Sequence, residues 1–302
     1  MSHGAARRMV HSVARRGFDS SSANGLYDRA RPSYPVEVID AILDAPKATR
    51  PLRIAEVGAG TGIATRLLLE GGARHGGIAR LDAFDPSDGM LQHLRASLFG
   101  ASGARGVVDA LKERGQLARD AAVRAEEGAF DSFDAGADND LVVIAQAWHW
   151  CPDFDKALAH IAHALRPGGV LALLWNLEDR EGAAWTAQLR DLYEQYEDGA
   201  PQYRHMRWMQ MVDTPSFAAH FAPLEPVHQR RTLPTTLDGV IDRMLSKSYI
   251  SVLPDDEKAR LVARARAIFA APDAATGRKW LDQASGVFAY PYGTGKRDDG
   301  IH

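Results

Sequence analysis

Cysteine is almost missing from this chain: Cys151 is the only one in 302 residues. A single thiol excludes an internal disulfide and any zinc site built from several cysteines, and it fits a reducing compartment. There is no excess of charge of either sign, since 36 Lys and Arg stand against 39 Asp and Glu for a formal net charge of -3. That balance gives no whole-chain electrostatic case for a nucleic-acid or polyanionic partner. No apolar run approaches the roughly 20 residues needed to cross a bilayer, so a membrane role is not expected. What remains, 45% apolar and 25% charged residues, is the make-up of an ordinary soluble globular protein. The length suits one core with an attached cap better than two full domains.

The first 18 residues carry Arg7, Arg8, Arg15 and Arg16 and no acid. Two readings stand: a solvated lead-in to the first helix, or a mitochondrial transit peptide. A cytoplasmic location is the expectation, with a mitochondrial one left open.

The most informative stretch is Leu52-Arg-Ile-Ala-Glu-Val-Gly-Ala-Gly-Thr-Gly62. Ile54, Ala55 and Val57 suit a buried strand, and Ile63–Leu69 suits a helix. Between them Gly58, Gly60 and Gly62, with Thr61, make a sharp turn whose backbone N–H groups can approach a ligand. Dinucleotide-binding folds use a similar turn, but their G-x-G-x-x-G spacing is absent here because Ile63 occupies its last position. Glu56, two residues before the first glycine, would repel a pyrophosphate and suits a cationic ligand. This stretch resembles motif I, E/D-x-G-x-G-x-G, of class I S-adenosylmethionine (SAM)-dependent methyltransferases.

Further segments extend the resemblance to a small-molecule subgroup of that family, the type 11-like proteins related to trans-aconitate methyltransferase. Tyr27-Asp-Arg-Ala-Arg31-Pro-Ser-Tyr-Pro35 is similar to its Y-x-x-x-R-P-x-Y-P entry segment. The resemblance implies that this segment folds over the SAM site, with Tyr27 and Arg31 reaching the SAM carboxylate or an acidic acceptor; the alternative is that both pin the segment to the surface. Asp85 ends a second strand one β–α unit beyond the glycines, where a carboxylate can accept both ribose hydroxyls. Asp85-Pro-Ser-Asp-Gly-Met90-Leu91 is similar to the family's D-P-S-x-x-M-L, with Met90 against the adenine or in the core. Relatives often carry an acid after Gly128; Ala129 stands here, leaving the Phe130 backbone N–H as the adenine contact.

Asp140–Ala145 is an apolar run suited to a central strand buried on both faces. Gln146, just beyond it, is placed to meet the methionine part of SAM. Ala147-Trp-His149-Trp150 resembles the A-x-H-W of the subgroup. His149 titrates near neutrality, so it is the candidate catalytic base, against a structural or substrate-positioning role. Cys151 reads as a buried small residue rather than a nucleophile. Leu165-Arg-Pro-Gly-Gly169 and Val170–Trp175 read as a helix stop and a fifth strand, with Asn176 and Arg180 beyond it as acceptor contacts or caps.

Past this point the expectations are a long helix over Glu181–Trp208, a strand at Val227–Leu233, helices after Thr236 and Pro254, and a last strand over Gly286–Tyr292. The expected organisation is a flexible lead-in over 1–24, a SAM-binding α/β core over 25–180, cap helices plus the last strands over 181–292, and a disordered tail over 293–302. The fold implied by the resemblance is doubly wound α/β, with a mainly parallel seven-stranded sheet and helical cap elements. The activity implied is methyl transfer from SAM to a hydroxyl or carboxylate oxygen of a small-molecule acceptor. No metal, nucleic acid or membrane is expected, and the protein is expected as a monomer or homodimer. Two rival readings are a SAM-binding protein that acts through a partner and a nucleotide-dependent oxidoreductase.

Overall fold

Strand β1 (Leu52–Val57) is buried at every position but Arg53. Its successive side chains feed two different cores, as the two-residue period of a strand requires. Leu52 and Ile54 pack with Leu68, Leu81, Leu94 and Leu141, whereas Ala55 and Val57 pack with Phe84, Val142, Ile144 and Trp148. Strand β4 (Asn139–Ala145) divides the same way: Leu141 and Val143 join the first core, Val142 and Ile144 the second. A sheet covered on both faces explains why these strands read as continuous apolar runs.

The computed structural model describes residues 21–48, 50–101, 103–271 and 287–293. Five parallel strands lie in the order β3-β2-β1-β4-β5, with β2 at Ile78–Asp85, β3 at Ala122–Glu127 and β5 at Leu165–Leu174. The order reverses between β1 and β4, the switch point beyond whose carboxyl ends doubly wound sheets bind ligands. Helix α2 (Val36–Asp44) precedes β1, and between the strands run α3 (Ile63–Gly72), α4 (Asp88–Phe99), α5 (Val107–Glu113) and α6 (Phe154–Ala164). Two carry side-chain caps. Ser87 accepts from the Met90 N–H and Asp153 from the Lys156 N–H, each cap stabilising its helix by about 1 kcal/mol.

By contact density the described residues form two units. One comprises 33–175 and 201–227 with the first residues of helix α1 (Ser21–Ala30); the other comprises 26–32, 176–200 and 228–293. The second unit has its own core. Trp185, Leu189 and Tyr193 of α7 (Ala184–Glu194) are buried, as are Leu261, Ala265 and Phe269 of α11 (Asp255–Ala270). The Trp185 and Phe269 ring centroids lie 5.1 Å apart. Strands β6 (Leu177–Glu178), β7 (Arg230–Thr236) and β8 (Val287–Gly293) make a separate antiparallel sheet in the order β6-β8-β7. Helices α9 (Leu237–Leu245) and α10 (Ser248–Ser251) follow β7.

The doubly wound class is therefore as expected, but the seven-stranded sheet is not. Five parallel strands form one sheet and three antiparallel strands another. Pro234 in β7 has no N–H to give to a ladder, which confines this strand to a sheet edge. The helix expected over Glu181–Trp208 ends at Glu194, because Asp198 and Gly199 take positive φ (44° and 75°) and Pro201 follows. Short 3-10 turns occupy Tyr203–His205 and Arg207–Asp213, before α8 (Pro215–His220). Ser21–Asn24, read as connector, begin helix α1. After Phe99 the chain adds to the first core through Val108, Leu111 and Leu117. By contact clustering, residues 201–227 group with the first unit. Most of the lead-in and of the tail lies outside the described residues.

Candidate functional site

The glycine turn closes on β2. The Gly58 and Ala59 N–H groups both donate to the Phe84 carbonyl, at 2.8 and 2.9 Å. Gly58 has φ +75°, and a Cβ there would lie 2.6 Å from the Cβ of Ala147, so the turn must pass without a side chain. Gly60, at φ +57°, differs: a Cβ there would meet nothing within 4 Å. Its backbone borders open space. Gly62 starts α3 from a left-handed conformation, and Thr61 is buried with its hydroxyl lacking a hydrogen-bond partner.

Two carboxylates flank this turn, both buried. Asp85 Oδ2 accepts from the Gly60 N–H at 2.8 Å, and Oδ1 accepts from the Ser87 N–H at 2.9 Å. Burial pushes the Asp85 pKa up to about 6, against the pull of those two N–H groups. Glu56 lies deeper, at 1% exposure, and neither of its oxygens has a hydrogen-bond partner among the described residues. Burial pushes it up to about 8, with Thr65 and Arg66 opposing and Asp85 adding to the shift. Burying two such groups with so few hydrogen bonds costs free energy.

Other expected contacts lie around the same strand ends. Met90 is buried on α4 yet belongs to neither hydrophobic core. Phe130 would lie 3.8 Å from a Cβ on Gly58, and its ring stands edge-on to Trp148 at 5.5 Å. Gln146 leaves β4 at φ +56° and donates its N–H to the Leu174 carbonyl at 2.7 Å. A left-handed conformation is costly for a glutamine and re-aims its side chain just past the strand end. Glu56, Gly58, Gly60, Thr61, Gly62, Asp85, Met90, Phe130 and Gln146 all belong to the first unit, whereas Tyr27 and Arg31 belong to the second. There Arg31 lies over the Tyr27 ring at 4.5 Å and donates to the Ser246 carbonyl at 2.9 Å.

His149 sits in a 3-10 turn after β4. The Trp175 indole N–H donates to His149 Nδ1 at 3.2 Å. An indole nitrogen can only donate, so Nδ1 must be the acceptor and the neutral ring carries its proton on Nε2. Sequence reasoning read Trp175 only as a strand end and overlooked Tyr203. The Trp175 ring packs on Tyr203 at 4.9 Å and Trp208 at 4.7 Å, forming an aromatic wall behind the imidazole. The only signal in the chain was an aromatic residue directly after the β5 run. Cys151 is buried, and burial pushes its thiol up to about 12, which makes it a packing residue.

The glycine turn, the acid at the end of β2 and the acid in β1 thus stand close together in the first unit. A methyltransferase-domain family profile covers residues 27–218. The chain belongs to the methyltransferase family. An uncharacterized methyltransferase of Mycobacterium tuberculosis is 33% identical over 251 residues, covering 82% of this chain and 84% of its own. One of Schizosaccharomyces pombe is 26% identical over 238 residues, covering 78% of this chain and 80% of its own. Among solved structures, one from Anaeromyxobacter dehalogenans named as a type II methyltransferase superposes with a TM-score of 0.53. It has 19% identity and covers 87% of this chain and 94% of its own, a likeness of fold alone. Use of SAM is implied by this family and fold. The residues present fit it: a cationic ligand with vicinal hydroxyls suits two buried carboxylates and an unobstructed glycine. Among the described residues no helix is long and apolar enough to cross a membrane.

Proposed function

We propose that this methyltransferase transfers the methyl group of SAM to an oxygen of a small-molecule acceptor. The observation that carries the reading is the pair of buried carboxylates beside the glycine turn, Asp85 held by the Gly60 N–H and Glu56 without a hydrogen-bond partner. Asp85 has lone pairs left to accept the ribose hydroxyls. Glu56 balances positive charge on the methionine side, with Thr61 and Gln146 beside it. Met90 and the Phe130 N–H bracket the adenine. Bound SAM supplies a methyl group already activated on sulfonium, so the protein's task is alignment and exclusion of water. Tyr27 and Arg31 have a place in this reading as contacts to a carboxylate.

His149 enters as a hydrogen-bond donor. To serve as a base at Nε2 it would need its proton on Nδ1, where the Trp175 N–H already donates. A donor at Nε2 orients an acceptor oxygen that is already ionised, which favours a carboxylate over a hydroxyl. A relative from Methylococcus capsulatus named malonyl-[acyl-carrier protein] O-methyltransferase supports an oxygen acceptor; it is 33% identical over 140 residues, 46% of this chain and 41% of its own. The test is transfer of radiolabel from methyl-labelled SAM into a pool of small carboxylic acids and alcohols, with SAM binding followed by calorimetry. Absence of both binding and transfer overturns the reading.

A further inference from the structure

Beside the glycine turn lies a threonine that neither the sequence reading nor the proposed function has used. Thr65, in the first turn of α3, is buried, and its hydroxyl has no hydrogen-bond partner among the described residues. Both Glu56 oxygens and the Thr61 hydroxyl share that state. A buried threonine in a helix ordinarily turns its hydroxyl back to a carbonyl three or four residues earlier. Here the Thr61 carbonyl accepts instead from Arg66 Nη1, at 2.9 Å. The Thr65 hydroxyl lies toward the turn, 3.5 Å from where a Cβ on Gly62 would stand.

Three groups act on the Glu56 carboxyl: Thr65 and Arg66 favour its ionised form, and Asp85 disfavours it. Arg66 acts through its charge, and its Nη1 is engaged by the Thr61 carbonyl and by Ser97 Oγ at 3.1 Å. Asp85 has its own oxygens on the Gly60 and Ser87 N–H groups. Thr65 is the one that can offer Glu56 a hydrogen bond, which the structure leaves unformed. A protonated carboxyl has a donor of its own. An ionised one is acceptor-only, and a hydrogen bond donated to it stabilises the charge.

We propose that Thr65 is a positioning residue of this site: its hydroxyl turns onto Glu56 and donates to the carboxylate when a cation lies against it. The inference rests on the reading of the turn as the place of a cationic cofactor, and adds the residue that keeps Glu56 charged there. One proton leaves in the exchange. The Glu56 carboxyl releases it to solvent as the cation arrives, and the hydroxyl proton stays on Thr65.

The experiment measures the affinity of the full chain for SAM and for 5′-methylthioadenosine by calorimetry, in wild type, Thr65→Val and Thr65→Ser. 5′-Methylthioadenosine keeps the adenine and ribose but has no sulfonium or ammonium, so Glu56 has no cation to ionise against. Thr65→Val keeps the side-chain shape and loses the hydroxyl. It should weaken SAM about tenfold or more, the size of one charge-assisted hydrogen bond, and leave 5′-methylthioadenosine unchanged. The deficit should shrink as pH rises past about 8, where Glu56 is ionised before the ligand arrives and the bond is present in both states. Thr65→Ser should bind SAM as wild type does. The melting temperature of Thr65→Val should not fall, because the change removes a buried hydroxyl that makes no hydrogen bond. Equal SAM affinity in wild type and Thr65→Val overturns the inference and leaves the cofactor reading standing. A Thr65→Val that weakens both ligands alike, at a lowered melting temperature, makes Thr65 a packing residue and overturns it too. Wild type that binds neither compound overturns the cofactor reading, and the inference falls with it.

Discussion

Two buried carboxylates in this protein live in opposite surroundings. Glu56, in the first unit, has no hydrogen-bond partner among the described residues, and burial pushes its pKa up to about 8. Burial alone would also raise Glu178, in the second unit, but Arg243 and Lys247 outweigh it and hold that carboxyl well below the usual range. The first unit therefore holds a carboxyl group that burial keeps protonated near neutrality, and the second holds one that two adjacent cations keep ionised. The contrast teaches that burial by itself neutralises an acid, whereas burial beside cations keeps it charged.

The contrast is broken most severely at Glu178. Glu178→Gln leaves the buried Arg243 and Lys247 without the carboxylate that both contact and should cost about 3–5 kcal/mol of stability. Thermal unfolding of the variant near the wild-type temperature would show that the cations are solvated, and the contrast would collapse. The mirror substitution in the first unit acts on ligand binding. If Asp85 accepts the two ribose hydroxyls as proposed, calorimetry of Asp85→Ala should show SAM binding weakened by about 2–4 kcal/mol. The apo fold should suffer less, because the Asp85 partners in the protein are only two backbone N–H groups.

The two regions also differed in how much of them could be read from the chain. Glu56, the three glycines and Asp85 were legible because a strand, a tight turn and a helix impose residue types at fixed spacing. The buried strands were legible for a similar reason, since a two-faced sheet leaves continuous apolar runs. Lys247, Arg243 and Glu178 left no such mark. They come from α9, the segment after it and β6, and only folding brings them within 3.0 Å. Arg243 does lie among Val240, Ile241 and Met244 on the buried stripe of α9, and an arginine there was the one available hint. The strand count failed because side-chain pattern gives strand character but not partner. Nothing in Val287–Gly293 says that it pairs with β6 and β7 instead of the parallel sheet.

A pH titration sharpens the comparison without any ligand. Glu56 has its pKa raised from 4.5 to about 8, so the folded state binds more protons than the unfolded one between those values. Stability from this group is present below pH 4.5 and lost as pH rises toward 8, with a slope on the order of 1 kcal/mol per pH unit. Asp85 works in the same direction between 3.8 and about 6. Lys247, lowered from 10.5 to about 7, has the opposite sign: its contribution is present above pH 10.5 and lost as pH falls to 7. Glu56→Gln should flatten the fall in melting temperature between pH 5 and 8 and leave the alkaline rise intact. An unchanged profile in that variant would show that Glu56 is already ionised in the folded state. Binding of cationic SAM should also release a proton at neutral pH in the wild type alone, visible as a binding enthalpy that varies with the buffer.

The smallest effect separates the donor and base roles of His149. Trp175→Phe keeps the aromatic wall but removes the N–H that occupies Nδ1. One hydrogen bond of this kind is worth about 1 kcal/mol, so the freed ring should share its proton between the two nitrogens with a shift of roughly fivefold. If His149 donates from Nε2, some molecules lose the donor, and kcat/KM should fall about two- to fivefold at neutral pH. Acid should restore the loss, because a protonated imidazole donates from both nitrogens. If His149 is a base, the same substitution frees Nε2 to take a proton, so the rate should rise at neutral pH and fall in acid. The two roles thus predict opposite signs on both axes. Rates against pH for wild type and Trp175→Phe, with the tautomer followed by nitrogen NMR, decide between them. A rate that rises in the variant at neutral pH returns His149 to the role of base and removes the case for an acceptor that is already ionised.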